Sequence, residues 1–204
     1  MKQNTIIAII RGVHPKDIRD ITQCLLENGI DSIEVSLSDE EIGLECIRVI
    51  FKEFGDRIHL GVGTVINQSQ VDKAINAGAR YIITPGWDCE LAKYVLANNI
   101  EMFPGVFSPG DIMQATSLGI ETVKLFPAIN LGPSYIKNVK APFPRTHFMA
   151  VGGISKDNIK EYQRAGCSYF AIGSDLVPSG ATKEDLQIIK QSAEVYNQLL
   201  LEEF

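Results

Sequence analysis

One pattern recurs along nearly the whole chain and limits what it can fold into. An amphipathic helical stretch stops at a small or turn-forming residue, and a short apolar run begins at once. Leu26-Glu-Asn-Gly-Ile-Asp-Ser-Ile-Glu-Val35, Asn76-Ala-Gly-Ala-Arg-Tyr-Ile-Ile-Thr84, Ser117-Leu-Gly-Ile-Glu-Thr-Val-Lys124 and Arg164-Ala-Gly-Cys-Ser-Tyr-Phe-Ala-Ile172 all follow it. Gly29, Gly78, Gly119 and Gly166 stand where a helix end needs a left-handed backbone, and Ala97-Asn-Asn-Ile-Glu-Met-Phe103 uses asparagine instead. The helical stretches carry apolar stripes at three- and four-residue spacing, such as Ile18, Ile21, Leu25 and Leu26, or Ile42, Leu44, Ile47 and Phe51. Pro15, and Ser155 before Lys156-Asp-Asn158, read as helix starts. Strands are predicted near 6–10, 31–37, 58–62, 80–84, 100–103, 121–125, 146–150 and 168–172. Eight such strands, too apolar for either face to meet water, predict an α/β fold of the parallel (β/α)8 TIM-barrel type. No proline- or serine-rich linker divides the chain, so residues 1–204 are expected to form one domain. A doubly wound open sheet is the alternative, because periodicity does not report closure.

Charge and cysteine usage narrow the function classes. A net charge of −6 argues against nucleic-acid binding, and no apolar run reaches the ~18–20 residues that span a bilayer, so no membrane partner is expected. The five-residue apolar stretch before Arg11 is shorter than a signal-peptide core of roughly 7–15 residues and reads as a first strand. Cys24, Cys46, Cys89 and Cys167 are widely spaced, which suits free thiols in a reducing cytoplasm. His14, His59 and His147 match no metal-ligand spacing. Gly61-Val-Gly63 resembles part of a dinucleotide fingerprint, but Ile66 occupies the third glycine position and no acid follows where one is needed. No cofactor is expected.

In a barrel of this kind, chemistry belongs at the carboxy-terminal ends of the strands. Two ionisable residues interrupt otherwise apolar strands there: Glu34 between Ile33 and Val35, and Lys124 between Val123 and Leu125. By position alone each could face outward, Lys124 with its stem along the barrel and its head in water, and for lone residues that is the commoner case. Facing inward, they would share one cavity, where a desolvated lysine becomes an amine nucleophile and a carboxyl group moves protons. Gly152-Gly153 and Gly173-Ser174 follow the last two strands, where backbone N–H groups of such barrels often hold phosphate; tight turns are the alternative reading.

Ile33-Glu-Val-Ser-Leu37, Gly61-Val-Gly-Thr-Val65, Thr84-Pro-Gly86, Phe103-Pro-Gly105, Val123-Lys-Leu-Phe-Pro127, Gly152-Gly-Ile154 and Ile172-Gly-Ser174 occur in this order. Together they resemble the class I pyruvate aldolases that cleave 2-keto-3-deoxy-6-phospho sugar acids, from about Ile6 to Val177. The resemblance implies a homotrimer without a metal, acting on a phosphorylated keto acid. It implies Schiff-base formation at Lys124, acid/base work at Glu34, and a pyruvyl pocket lined by Thr64 and Pro85, with Phe126 as the substrate-binding aromatic that follows the lysine. Two positions depart from the phosphogluconate enzymes: Ser38 stands where those often carry arginine, and Val151 where they carry threonine. Arg11 is then the expected carboxylate partner, its planar fork suiting that group. Ala150-Val-Gly-Gly153 and Gly173-Ser-Asp-Leu176 are more similar to the phosphogalactonate-cleaving relatives, which favours that substrate with phosphogluconate close behind. Relatives that cleave 4-hydroxy-2-oxoglutarate, a phosphate-binding barrel isomerase or epimerase, and a non-catalytic binding protein that keeps the phosphate site are the other readings; retention of both Lys124 and Glu34 argues against the last.

Overall fold

A computed structural model describes residues 5–201. Strands β1 (Thr5–Ile10), β2 (Ser32–Ser36), β3 (His59–Gly63), β4 (Tyr81–Ile83), β5 (Glu101–Phe103), β6 (Gly105–Val106), β7 (Thr122–Leu125), β8 (His147–Val151) and β9 (Cys167–Ile172) form one parallel sheet. Helices α1 (Pro15–Glu27), α2 (Glu40–Phe54), α3 (Gln68–Ala77), α4 (Cys89–Ala97), α5 (Pro109–Ser117), α6 (Ala128–Lys140), α7 (Ile159–Ala165) and α8 (Leu186–Leu201) alternate with them. The strand order β5-β4-β3-β2-β1-β9-β8-β7-β6 makes a nearly closed barrel, in which β5 matches the expected fifth strand and β6 continues its line beyond the expected end at 103. Pro104 separates β5 from β6 because it has no N–H for the ladder, although its carbonyl accepts from the Lys124 amide at 2.9 Å. β5 pairs with β4 and β6 with β7, so the single-domain barrel is joined through that proline.

Alternation explains why these strands read as continuous apolar runs. Ile7, Ile9, Tyr81, Ile83, Phe103, Met149, Val151, Tyr169 and Ala171 pack together inside the barrel. Their neighbours Ile6, Ala8, Ile10, Ile82, Phe148, Ala150, Phe170 and Ile172 belong to a second cluster under the helices. Successive side chains enter opposite cores, and neither face meets water.

The glycine caps behave as expected: Gly29, Gly78, Gly119 and Gly166 take φ of 78°, 112°, 82° and 107°, and Asn99 takes 56° at the end of α4. The expected stripes are buried at Ile18, Ile21, Leu25, Leu44 and Ile47, but Phe51 is 43% exposed and lies beside Gly78 and Arg80 instead. One helix start is corrected. Ser155 does not open a helix: α7 begins at Ile159, and the side-chain carbonyl of Asn158 accepts the Ser155 N–H at 2.9 Å, closing a polar turn before it. No helix among the described residues is long and apolar enough to cross a membrane.

Candidate active site

Alternation decides which way the two unusual ionisable residues point. Ile33 and Val35 belong to the outer core, and so do Val123 and Leu125. Glu34 and Lys124 therefore project inward, at 3% and 6% exposure, and the outward reading of Lys124 does not hold. Gly63 makes room for the acid: a methyl group there would overlap the Glu34 carboxyl oxygen. Lys124 Nζ lies 4.6 Å from the centre of the Phe126 ring.

This environment moves both groups toward their neutral forms. Burial raises the Glu34 carboxyl above its ordinary range, opposed by the positive charges of Lys124 and Arg11. Burial likewise holds the Lys124 amine below the ordinary lysine range; the Glu34 charge opposes that shift, and Arg11 adds to it. One carboxyl oxygen of Glu34, Oε2, is buried without a hydrogen-bond partner. A buried acceptor left unmatched is costly in a finished core but is what a site awaiting a donor from its ligand would carry.

Glu34, Lys124, Arg11, Thr64, Pro85, Phe126, Val151, Gly152, Gly153, Gly173 and Ser174 all line one cavity of about 580 Å³ at the carboxy-terminal mouth of the barrel. The fold thus gathers every residue expected at the site from the ends of β1, β2, β3, β4, β7, β8 and β9. Thr64 holds a positive φ of 65°, rare for a β-branched residue, and its hydroxyl lies 3.0 Å from that of Ser36. Ser36 in turn donates to the Ser38 hydroxyl at 3.3 Å, so Ser38 is part of a short hydroxyl network.

The glycine loops form the other end of the cavity. Gly152 and Gly153 have φ of 90° and 77°, and side chains there would press against Phe126 and Ile129 respectively. Nothing packs within 4 Å of the absent Gly173 side chain, which leaves the main chain open to a close-approaching ligand. Ile9, Ile154, Ser155, Ala171 and Asp175 also line the cavity and were not expected there from the sequence. For Ile9 and Ala171 the period-two alternation with Glu34 and Val151 was the available signal. A separate cavity of about 430 Å³, between Thr116 and Thr146, contains none of these residues.

The family model described as "Aldolase: KDPG and KHG aldolase" matches residues 1–192. The chain is 31% identical over 180 residues to the 2-dehydro-3-deoxy-6-phosphogalactonate aldolase of Escherichia coli K12, covering 88% of this chain and 87% of that one. It is 32% identical over 162 residues to a 2-dehydro-3-deoxy-phosphogluconate aldolase of Pseudomonas aeruginosa, covering 79% and 73%. A solved structure described as "Native KDPGal structure" superposes with a TM-score of 0.87 at 28% identity, covering 95% of this chain and 93% of that chain.

Proposed function

The chain belongs to the KDPG and KHG aldolase family, a carbon–carbon lyase of the class I type, and on that premise we propose a specific substrate and a specific set of catalytic residues. The substrate is a 2-keto-3-deoxy-6-phospho sugar acid, with the phosphogalactonate preferred over the phosphogluconate. The products are pyruvate and glyceraldehyde 3-phosphate.

Lys124, as the neutral amine, adds to the C2 carbonyl, and loss of water leaves an iminium. Glu34 takes the C4 hydroxyl proton as the C3–C4 bond breaks, with the electron pair of that bond passing into the iminium to give an enamine. The aldehyde leaves, C3 is protonated, and hydrolysis returns the lysine and releases pyruvate. Arg11 pairs with the substrate carboxylate, Thr64, Pro85 and Phe126 enclose the pyruvyl group, and Gly152, Gly153, Gly173 and Ser174 hold the phosphate, fixing the bond to be cleaved. The observation that supports this reading most directly is the pairing, in one 580 Å³ cavity, of a buried lysine held toward its neutral form with a buried carboxyl group one of whose oxygens lacks a partner.

Borohydride reduction in the presence of pyruvate should leave a three-carbon adduct on Lys124; an unmodified Lys124 would refute the imine. Substrate preference rests on Val151, whose buried side chain lines the cavity where a threonine would offer a hydroxyl. Cleavage of the two epimeric phosphates, measured side by side, should favour the galactonate form, and Val151→Thr should move the ratio toward the gluconate form by about tenfold. A ratio unmoved by that substitution would remove Val151 from the assignment.

The 4-hydroxy-2-oxoglutarate reading shares the imine but makes no use of the open main chain at Gly173. An isomerase or epimerase working without an imine needs another acid or a histidine at this mouth. His14, in the loop after β1, accepts the Lys16 N–H and does not line the cavity; His59 and His147 begin β3 and β8 at the opposite end of the barrel, and the acid present, Asp175, is bound to Lys156 and Tyr196. We also propose the homotrimer that the family resemblance implies; light scattering on the eluting protein gives its mass directly.

A further inference from the structure

The phosphate end of the cavity has a charge problem. Among the described residues, the charged side chains lining the cavity are Arg11, Glu34, Lys124 and Asp175. On the reading above, Lys124 meets the carbonyl and Arg11 the carboxylate. The charged group left beside Gly173 and Ser174 is then Asp175, a carboxylate next to the place of a phosphate dianion. Like charges so placed repel, and backbone N–H groups must overcome that repulsion before they bind anything.

Lys156 answers it. Its Nζ lies 2.9 Å from Asp175 Oδ2 and 3.0 Å from the Asp175 carbonyl oxygen, and 5.2 Å above the ring centre of Tyr196. The Tyr196 hydroxyl, on a fully buried ring of α8, donates to the same Oδ2. Burial alone would raise the Asp175 carboxyl, but these donors and the lysine charge bring it below its ordinary range, so it stands as an anion. The Lys156 side chain is only 33% exposed. An ammonium has three donors, and Asp175 engages two of them. The lysine does not itself line the cavity; it sits between two residues that do, next to Ser155 in sequence and bound to Asp175, with its charge beside the loop that bears Gly173 and Ser174.

We propose that Lys156 is the phosphate-binding cation of this site, positioned by Asp175 and Tyr196 so that it bridges the carboxylate and an incoming phosphate. The inference rests on the phosphorylated-substrate reading above, and it adds a residue that contacts the phosphate and two that position it. The rival role is a surface clasp between the loops after β8 and β9.

Titration with inorganic phosphate separates the two roles and requires no turnover. Lys156→Gln should weaken phosphate binding and raise KM for the phosphorylated substrate by roughly tenfold, whereas Lys156→Arg should retain most of the affinity. Saturation by pyruvate in the borohydride reaction should be unchanged, because pyruvate carries no phosphate. Asp175→Asn loosens the lysine but also removes the repelling charge, so its loss of phosphate affinity should be clearly smaller than that of Lys156→Gln. Unchanged phosphate affinity in Lys156→Gln would overturn the proposal. So would an equal loss in Asp175→Asn, which would reveal a clasp only. Failure of the unaltered protein to form a pyruvate adduct would instead refute the imine at Lys124 and leave the phosphate titration readable.

Discussion

The two mouths of the barrel are built from the same strands and both carry inward-facing polar residues, yet they hold them differently. At the amino-terminal mouth His59 Nε2 pairs with Glu101 at 3.3 Å, the His59 ring lies 4.6 Å from that of Tyr81, and His147 meets Tyr169 edge-on at 6.0 Å. The Tyr81 hydroxyl donates to the Ile33 carbonyl at 2.8 Å, so this layer is stitched to itself and to the main chain. At the carboxy-terminal mouth Glu34 keeps an oxygen without a partner, and Lys124 faces a ring and an opposing charge across a cavity. The first end pairs most of its polar groups with one another, although His59 Nδ1 stays buried without a partner, and serves stability. The other leaves them for a ligand to satisfy, and it accepts the cost in folding.

The sharpest way to break this comparison is Lys124→Met. Aldol cleavage should fall by at least about 10³-fold with no pyruvate adduct, while stability to denaturant is kept or rises by up to ~2 kcal/mol, since an apolar chain replaces a buried amine. A clear loss of stability would mean the lysine belongs to the scaffold. Glu34→Gln should lower turnover by roughly 10²–10⁴ while the pyruvate adduct still forms. Because the Glu34 charge favours the ammonium form of Lys124, its removal should also shift adduct formation to lower pH; a shift to higher pH would reverse the assigned coupling.

Gly63→Ala should reproduce part of the Glu34 effect, about 10- to 100-fold in turnover, because the added carbon competes for the carboxyl position. Undiminished turnover would show that the acid works from elsewhere. The smallest effect is expected at the opposite mouth. Glu101 is 48% exposed, so Glu101→Gln should cost less than about 1 kcal/mol and leave kcat/KM unchanged. Any loss of activity there would connect the two ends.

The buried pair also predicts how stability follows pH. The Lys124 amine is held below its ordinary value of 10.5 in the folded protein, so the unfolded chain binds that proton more tightly. Its contribution to stability is therefore present above 10.5 and lost as pH falls through the lowered folded value. Glu34 acts in the opposite sense: its contribution is present below 4.5 and lost as pH rises through the raised folded value. Denaturant titrations of Lys124→Met and Glu34→Gln against the unaltered protein should each flatten the corresponding limb.

Much of this was legible in the sequence because barrel strands have a strict two-residue period and helix ends have a strict backbone requirement. Gly29, Gly78, Gly119 and Gly166 marked their helix ends because few other residues accept those angles. The strand ends then ordered Glu34, Lys124 and the glycine pairs around one mouth. What stayed hidden depended on contacts between loops. Lys156 read as part of a helix start, and only the folded chain sets it against Asp175 and Tyr196. The start expected at Ser155 failed for a related reason, since Asn158 turns back to take its N–H and delays α7. The break at Pro104 lay in plain view as a proline, but that β6 resumes pairing with β7 is a property of the closed ring.

The pair of glycines in β3 has a consequence of another kind. A side chain at Gly61 would overlap the Tyr81 ring, as one at Gly63 would overlap Glu34. Beyond His59, β3 thus contributes vacancy rather than contact: its two glycine positions are occupied by the side chains of the strands on either side. One neighbour fills the space with the ring that helps plug the barrel, the other with the buried acid. Enlarging the pocket for a bulkier substrate by trimming Glu34 would therefore open a void over a strand with nothing to fill it, whereas adding bulk to β3 would press on plug and acid together. In this barrel the plainest strand sets the room available to its most specialised neighbours.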